Sequence, residues 1–162
     1  MKFNDVNDTI TALATPAGTG AIAVIRISGK KSFEITSRIF KGINLNKAKS
    51  HTVHLGKIID KGIEVDEALV TIFKTPKSYT GEDVVEISCH GSVYIQQKIL
   101  ELLITNGACH ASPGEFTLRA FLNGKLDLAQ AEAVADIIAC DSAVSHDLAV
   151  KLMRGFFSSK IK

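Results

Sequence analysis

The sequence predicts a mixed-sheet domain of the α/β or α+β class, followed by the first helices of a helical domain. Short stretches in which apolar and polar residues alternate, as they do in strands, occur between residues 9 and 111 and are interleaved with helical patterns. After Glu115 only helical periodicity remains. Apolar residues make up 46% of the 162 residues, so the chain can bury a sizeable core.

Each boundary in the predicted sheet domain has a local chemical reason. Proline and glycine interrupt the chain at residues 15–20, and Ser28-Gly29 ends the second strand. The segment Asp60-Lys61-Gly62 predicts a hairpin turn, and Ser92 predicts a helix N-cap. The predicted elements are strands over 9–13 and 21–27, a helix over 31–40, strands over 51–59, 63–73 and 84–89, a helix up to Asn106 and a strand over 108–111.

Three helices are predicted after Glu115. The first covers residues 116–122, the second runs from its cap Asp127 to Cys140, and the third runs from a cap at Asp141 or Ser142 to the chain end. The third helix carries an apolar stripe that needs a partner to pack on. Because the sheet domain looks complete, we predict that this helix belongs to a helical domain of which most is absent. The stripe consists of Val144, Leu148, Leu152 and Phe156, widened by Ala149, Met153 and Phe157.

Composition indicates a soluble protein of a reducing compartment. The net charge of +2 is no strong footprint of nucleic-acid binding. Three sparse cysteines without a CxxC motif are typical of proteins that form no disulfides. The N-terminus has no apolar signal segment, and no apolar run approaches the roughly 20 residues that span a bilayer. The predicted location is the cytoplasm.

Two glycine-containing segments are candidates for phosphate loops. Residues 28–32 resemble the end of a P-loop, but Val24 stands where its first glycine should be, and an extra lysine separates Lys30 from Ser32. This excludes nucleotide hydrolysis by these residues. Gly18-Thr19-Gly20 lies between two strands, so we predict a tight turn that lets the backbone approach a neighbouring segment or a ligand.

The sequence gives little support for a metal site or for a catalytic nucleophile. Cys89-His90 and Cys109-His110 could supply four zinc ligands, but adjacent side chains of a strand point to opposite faces. We therefore interpret the cysteines as buried thiols and predict no metal site. Ser88 lacks a G-x-S-x-G elbow, and no catalytic residue is predicted.

Two charges in apolar strands are the strongest candidates for a binding site. Arg26 lies in the middle of one strand and Glu86 in the middle of another, and burial of either without a partner is costly. One interpretation is that they pair with each other or with another charge. The other is that they face a pocket and hold a polar heterocycle or an acidic tail. Lys125, in a turn before a helix, is either a solvated lysine or a third contact.

Four segments resemble the start of the MnmE (TrmE) family of tRNA-modification GTPases. They occur in the family's order at residues 8–18, 26–29, 78–91 and 113–133, and the last, from Pro113 to Ala133, is long and specific. Most of the matching binding chemistry thus lies between Ser78 and Ala133.

The resemblance implies a fold similar to the tetrahydrofolate-binding domain of aminomethyltransferases over residues 1–120, and the start of a helical domain over residues 121–162. It implies a homodimer that binds 5-formyl- or 5,10-methylene-tetrahydrofolate through Arg26, Glu86 and Lys125. Glu86 would accept N–H bonds from the pterin edge, and the two cations would meet polar or anionic parts of the folate. Full-length members use GTP, magnesium and potassium. With the flavoprotein MnmG (GidA) they modify carbon 5 of the wobble uridine in certain tRNAs.

The chain also departs from the full family pattern, because it has no P-loop, switch regions or C-terminal cysteine motif. GTP hydrolysis is therefore expected of a longer parent and not of these residues. Two alternatives remain open. One is a free-standing folate-dependent enzyme of the aminomethyltransferase type, and the other is a pure docking module for the flavoprotein.

Overall fold

The structure is a computed structural model that describes residues 2–155. The chain divides into two compact units. The first unit contains residues up to Ser78 and residues 82–113, and the second contains residues 79–81 and those from Gly114 onward. The domain boundary expected at residue 120 is a statement about the family and stays a prediction.

A mixed sheet of seven strands forms the first unit, in the order β3-β4-β5-β6-β2-β1-β7. All neighbouring strands are antiparallel except β1 and β7, which are parallel. The predicted mixed sheet is thus confirmed. The elements of this unit are β1 (Ile10–Leu13), β2 (Ile22–Ser28), α1 (Ser32–Ile39), β3 (Phe40–Lys41), β4 (Thr52–Asp60), β5 (Ile63–Phe73), β6 (Val84–His90), α2 (Val93–Thr105) and β7 (Cys109–His110).

One face of the sheet carries the hydrophobic core. Strand β2 alternates as predicted, with Ala23, Ile25 and Ile27 at most 1% exposed, while Val24 and Arg26 on the opposite face are half-buried. The inward residues of β5 and β6 continue this face, and α1 and α2 cover it with their apolar sides. These core residues are Ala68, Val70, Ile72, Val85, Ile87 and Cys89 from the strands, and Phe33, Ile35, Ile39, Ile99, Leu102 and Leu103 from the helices.

The predicted hairpin is confirmed at the tip of β4 and β5. Asp60 pairs with Ile63, so the turn consists of Lys61 and Gly62. Both have positive φ, 49° and 86°, as in a type I′ turn, whose twist matches that of the flanking strands.

Two local predictions in this unit were wrong in detail, and the predicted N-cap of α2 was correct in position. Helix α1 ends at Ile39, because Phe40 adopts an extended backbone and pairs with Ile58. Ser92 occupies the N-cap position of α2, but its side chain makes no capping hydrogen bond. In α2 the predicted core residue Ile95 is only half-buried, whereas the next residue, the polar Gln96, is buried with 5% exposure.

Between Gly114 and Gly155 the second unit contains three helices. They are α3 (Glu115–Leu122), α4 (Leu128–Ala139) and α5 (Ala143–Met153). The predicted caps at Asp127 and Ser142 are confirmed, and each forms a reciprocal capping box with the residue three positions later. No helix within residues 2–155 has the length and apolar character needed to cross a membrane.

Helix α5 is shorter than predicted. It ends at Met153, and Gly155 has a φ of +70°, which is incompatible with helical continuation. The predicted stripe is only partly buried, with Ala149 at 2% but Val144 at 82% and Leu148 at 55% exposure. Leu152 and Met153 are half-buried, and Phe156 and Phe157 lie outside the described residues.

The Gly18–Gly20 segment forms the close backbone approach that the sequence predicted. Gly20 N–H donates to Gly91 O at 3.0 Å, and Gly91 N–H donates to Ala21 O at 3.2 Å. The buried Gln96 side chain ties the two segments together, because its Nε2 donates to Gly18 O at 2.9 Å and to Gly91 O at 3.1 Å. A Cβ at Gly91 would overlap the carbonyl of Gly20, whereas a Cβ at Gly20 would have no neighbour closer than 3.7 Å.

Gly91→Ala should therefore destabilise the chain by about 1–3 kcal/mol, the usual cost of forcing an extra methyl group into a packed site. Gly20→Ala is the matched control and should be neutral or slightly stabilising, by up to about 1 kcal/mol, because its methyl group has room. Urea unfolding followed by circular dichroism measures both. Equal stability of the two variants would contradict the assigned contact.

Candidate ligand-binding site

The two charges singled out in the sequence face each other across neighbouring strands. In the antiparallel pair β2–β6, Arg26 lies directly opposite Glu86, so both side chains emerge on the same face. Arg26 Nε donates to Glu86 Oε1 at 2.9 Å, and Nη2 lies 2.7 Å from the same oxygen. The side chains are 25% and 24% exposed. The interpretation that they pair with each other is thus correct.

The ion pair with Arg26 occupies only one of the two carboxylate oxygens of Glu86. Both of these contacts reach Glu86 Oε1, and within residues 2–155 the second oxygen, Oε2, accepts no hydrogen bond. A carboxylate oxygen has two lone-pair directions, so Oε2 can accept N–H groups from a ligand. Arg26 therefore orients Glu86 and leaves one edge of it available, and the two interpretations of this pair are compatible.

A second carboxylate lies close to the pair along β2. Ser28, two residues beyond Arg26 on the same strand face, donates from its hydroxyl to Glu82 Oε2 at 2.6 Å. The sequence analysis missed this contact. The period-two placement of Arg26 and Ser28 was the available signal, but nothing in the sequence indicates that the loop residue Glu82 reaches β2.

The sheet face that carries the pair is open and largely apolar beside it. In register, Leu55 pairs with Leu69, and Leu69 pairs with Ser88, two residues from Glu86 on β6. Leu55 is 61% and Leu69 43% exposed. They line a shallow depression of about 180 Å³ together with Ala21, Ile22, Glu67, Ala68, Ser88, Cys89 and His90. This volume is below the ~300–1,000 Å³ of typical small-molecule pockets, so this unit alone would cover only part of a drug-sized ligand.

Lys125 belongs to the second unit, in the turn between α3 and α4. Its backbone N–H donates to Ala120 O at 2.8 Å, which closes the C-terminal end of α3. The preceding Asn123 donates from Nδ2 to Thr80 O at 2.7 Å, and so joins the turn to the short segment 79–81 of the same unit. The Lys125 residue is exposed to solvent, as expected for a turn lysine.

The two Cys-His pairs do not converge on a metal site in residues 2–155, where no group of three or more candidate ligands is found. In the sheet β2 and β1 separate β6 from β7, so Cys89 and Cys109 are three strand spacings apart, roughly 14 Å. Cys89 is buried and its thiol lies 3.6 Å from Ala23 O. Burial, helped by the negative charge of Asp66, raises the pKa of Cys89 to about 11.

Comparison with known proteins gives one consistent result. The family model described as GTP-binding protein TrmE N-terminus matches residues 9–125. The chain is 60% identical over 157 residues to the tRNA modification GTPase MnmE of Flavobacterium johnsoniae, covering 95% of this chain and 34% of that protein. The MnmE proteins of Cytophaga hutchinsonii and Streptococcus mutans are 59% and 49% identical, over 96% and 95% of this chain. The chain spans about a third of the length of these relatives.

The raised pKa of Cys89 predicts slow alkylation. Since its pKa rises from 9.0 to about 11, the reactive thiolate at pH 8 is roughly a hundredfold rarer than for an unperturbed thiol, and burial slows access further. Iodoacetamide labelling read by peptide mass spectrometry should find Cys89 the slowest of the three cysteines. In 8 M urea all three should react alike. Equal rates in the folded chain would contradict the assignment.

Proposed function

The chain belongs to the family of TrmE N-termini, and we propose that it binds a one-carbon tetrahydrofolate as the N-terminal module of a tRNA-modification GTPase. The observation that carries the proposal is the Arg26–Glu86 pair, in which one carboxylate oxygen is held and the other is open. The ligand in this proposal is 5-formyl- or 5,10-methylene-tetrahydrofolate.

Glu86 is proposed to recognise the pterin ring. The edge of a pterin presents N–H donors side by side, and Oε2 of Glu86 has two lone-pair directions with which it can accept them. Arg26 prevents rotation of Glu86 by holding Oε1, so the carboxylate is oriented before the ligand arrives. The aliphatic side chains of Leu55 and Leu69 on the same sheet face would pack against apolar parts of the ligand.

Arg26 and Lys125 are proposed to contact polar or anionic parts of the same folate. Arg carries five N–H donors in a planar fork, so Arg26 can contact more than one acceptor at a time. Lys125 would supply a compact point charge that can meet a carboxylate or another polar group of the folate. The fold is proposed to be similar to that of aminomethyltransferase folate domains, with the folate-binding part over residues 1–120 and the helical domain beginning at 121.

The activity of the whole protein is proposed from the names of the relatives. They are tRNA modification GTPases, and the chain spans about a third of their length. In the proposal, GTP hydrolysis with magnesium and potassium belongs to the remaining two-thirds. The complete protein would act in the cytoplasm with the flavoprotein MnmG and modify carbon 5 of the wobble uridine in tRNA.

Self-association through this module is the second part of the proposal. Large aliphatic side chains are exposed on the open sheet face, with Val53 at 57%, Leu55 at 61% and Ile22 at 67%. Contiguous exposed apolar surface of this kind is typical of interfaces. A second copy packed here would also provide the cover that the shallow depression beside Glu86 lacks.

Two other functions, an enzyme of the aminomethyltransferase type and a pure docking module, make different demands on the site. A free-standing aminomethyltransferase-like enzyme would need a catalytic group beside the ligand, whereas a pure docking module would need no oriented carboxylate. The half-held Glu86 favours binding over docking alone.

Titration with 5-formyltetrahydrofolate tests the ligand assignment. Isothermal calorimetry should show binding to the unaltered chain. Glu86→Gln and Arg26→Ala should each weaken it at least tenfold, because truncating one partner of a charged hydrogen-bonded pair costs about 1.5–3 kcal/mol. Glu64→Gln is the matched control, since Glu64 pairs with Lys57 at 2.6 Å near the hairpin tip. Unchanged affinity in both site variants would refute the assignment.

Light scattering tests the proposed self-association. The chain should have the mass of a dimer, and Leu55→Glu should shift it to a monomer, because a buried unpaired charge is costly. Val144→Glu is the control, as Val144 is 82% exposed but lies in the other unit. A monomeric unaltered chain, with and without folate, would exclude a dimer formed by these residues.

A further inference from the structure

The chain contains the same helix ending twice, and it uses the two copies differently. Helix α2 ends in Asn106-Gly107 and helix α3 ends in Asn123-Gly124. The two asparagines have nearly identical backbone angles, with φ of −90° and −86° and ψ of 7° and 8°. Both glycines have positive φ, 109° and 69°. The backbone requirements of the two endings are therefore the same.

The side-chain amides differ. Asn106 Nδ2 donates at 2.8 Å to Leu102 O, four residues back in its own helix. Asn123 Nδ2 instead donates at 2.7 Å to Thr80 O, 43 residues away in sequence. Because the helix ending is satisfied at Asn106 by a local bond, the long-range bond of Asn123 is not a requirement of capping. It fixes the turn that follows α3 to the segment 79–81.

Gly81 completes this arrangement. Its φ of +79° favours glycine, and a Cβ there would lie 3.2 Å from Asn123 Cβ and 3.2 Å from Lys125 Cγ. The methylene stem of Lys125 therefore passes over Gly81, in space that any side chain would take. The hydrogen bond of Asn123 holds the turn beside the segment 79–81, and the missing side chain of Gly81 leaves room there for the first part of the Lys125 side chain.

We propose that Asn123 and Gly81 are positioning residues that hold the Lys125 side chain in the orientation used for ligand binding. The inference rests on the proposed folate function, because Lys125 is the proposed contact to a polar or anionic part of that ligand. A lysine side chain has several rotatable bonds, and restricting them before binding lowers the entropy cost of forming the contact.

A double-mutant cycle tests the proposal by calorimetry with 5-formyltetrahydrofolate. Asn123→Ala should weaken binding about threefold to tenfold, the range that one neutral hydrogen bond supplies. Lys125→Met should weaken it at least as much. In the Lys125→Met background the Asn123→Ala change should have no further effect, because there is no ammonium left to position. Asn106→Ala is the matched control and should bind like the unaltered chain.

A glycine pair provides a second test. Gly81→Ala should weaken binding, since its methyl group would lie 3.2 Å from Lys125 Cγ and the stem must shift to relieve this tight contact. Gly62→Ala controls for backbone strain, because Gly62 also has positive φ, 86°, but has open space at its Cβ. Thermal unfolding should show that both alanine variants remain folded at the temperature of the titration.

The outcomes separate this inference from the proposed function. No binding by the unaltered chain refutes folate binding and this inference with it. Normal binding by Lys125→Met or by Asn123→Ala overturns the inference and leaves the Glu86 assignment standing. An Asn123→Ala effect that persists in the Lys125→Met background also overturns it, because Asn123 would then act by another route.

Discussion

The register between β2 and β6 is the constraint on which the first unit depends. Seven residue pairs join these strands without interruption, from Ile22 opposite His90 to Ser28 opposite Val84. Because strand side chains alternate between faces, this register sends Ile25 and Ile87 into the core and places Arg26 opposite Glu86 on the open face. A slip of one residue would bury the charges and expose the isoleucines. The core and the candidate site are thus set by the same pairing.

The Arg26–Glu86 pair affects orientation more than stability. Both side chains are about one-quarter exposed, and pairs of this exposure contribute about 1 kcal/mol or less in most proteins. Apolar residues on the two strands would serve the sheet as well. What the pair provides is a carboxylate with one oxygen held by the guanidinium, while the other accepts no hydrogen bond within residues 2–155. The strand register places Arg26 opposite Glu86, and the proposed ligand recognition depends on that placement.

Glycines at three places let segments distant in sequence approach each other. Gly91 lies against the backbone of Gly20, the lack of a side chain at Gly56 leaves room for the Phe40 ring, and Gly81 makes space for the Lys125 stem. A single methyl group would collide with a neighbour at Gly91 and Gly56, and at Gly81 it would make a tight contact of 3.2 Å with Asn123 and Lys125. Close-packed regions deform little. An added methyl group there is therefore accommodated only when a whole segment moves. A binding site that depends on close contact between two segments can therefore be disturbed by an uncharged substitution such as Gly→Ala.

The sequence alone determined the helices, the strands other than the two-residue β3, and most of their ends, because alternation, helical periodicity and turn residues are local properties. It also singled out Arg26 and Glu86, since a charge in an apolar strand is visible without coordinates. Only the tertiary structure decided that the two pair and which oxygen of Glu86 stays open, because register relates strands 60 residues apart. The hydrogen bonds from Ser28 to Glu82 and from Asn123 to Thr80 are likewise known only from the tertiary structure. Identical Asn-Gly endings at α2 and α3 read alike in the sequence, and only the surrounding chain determines what each amide binds.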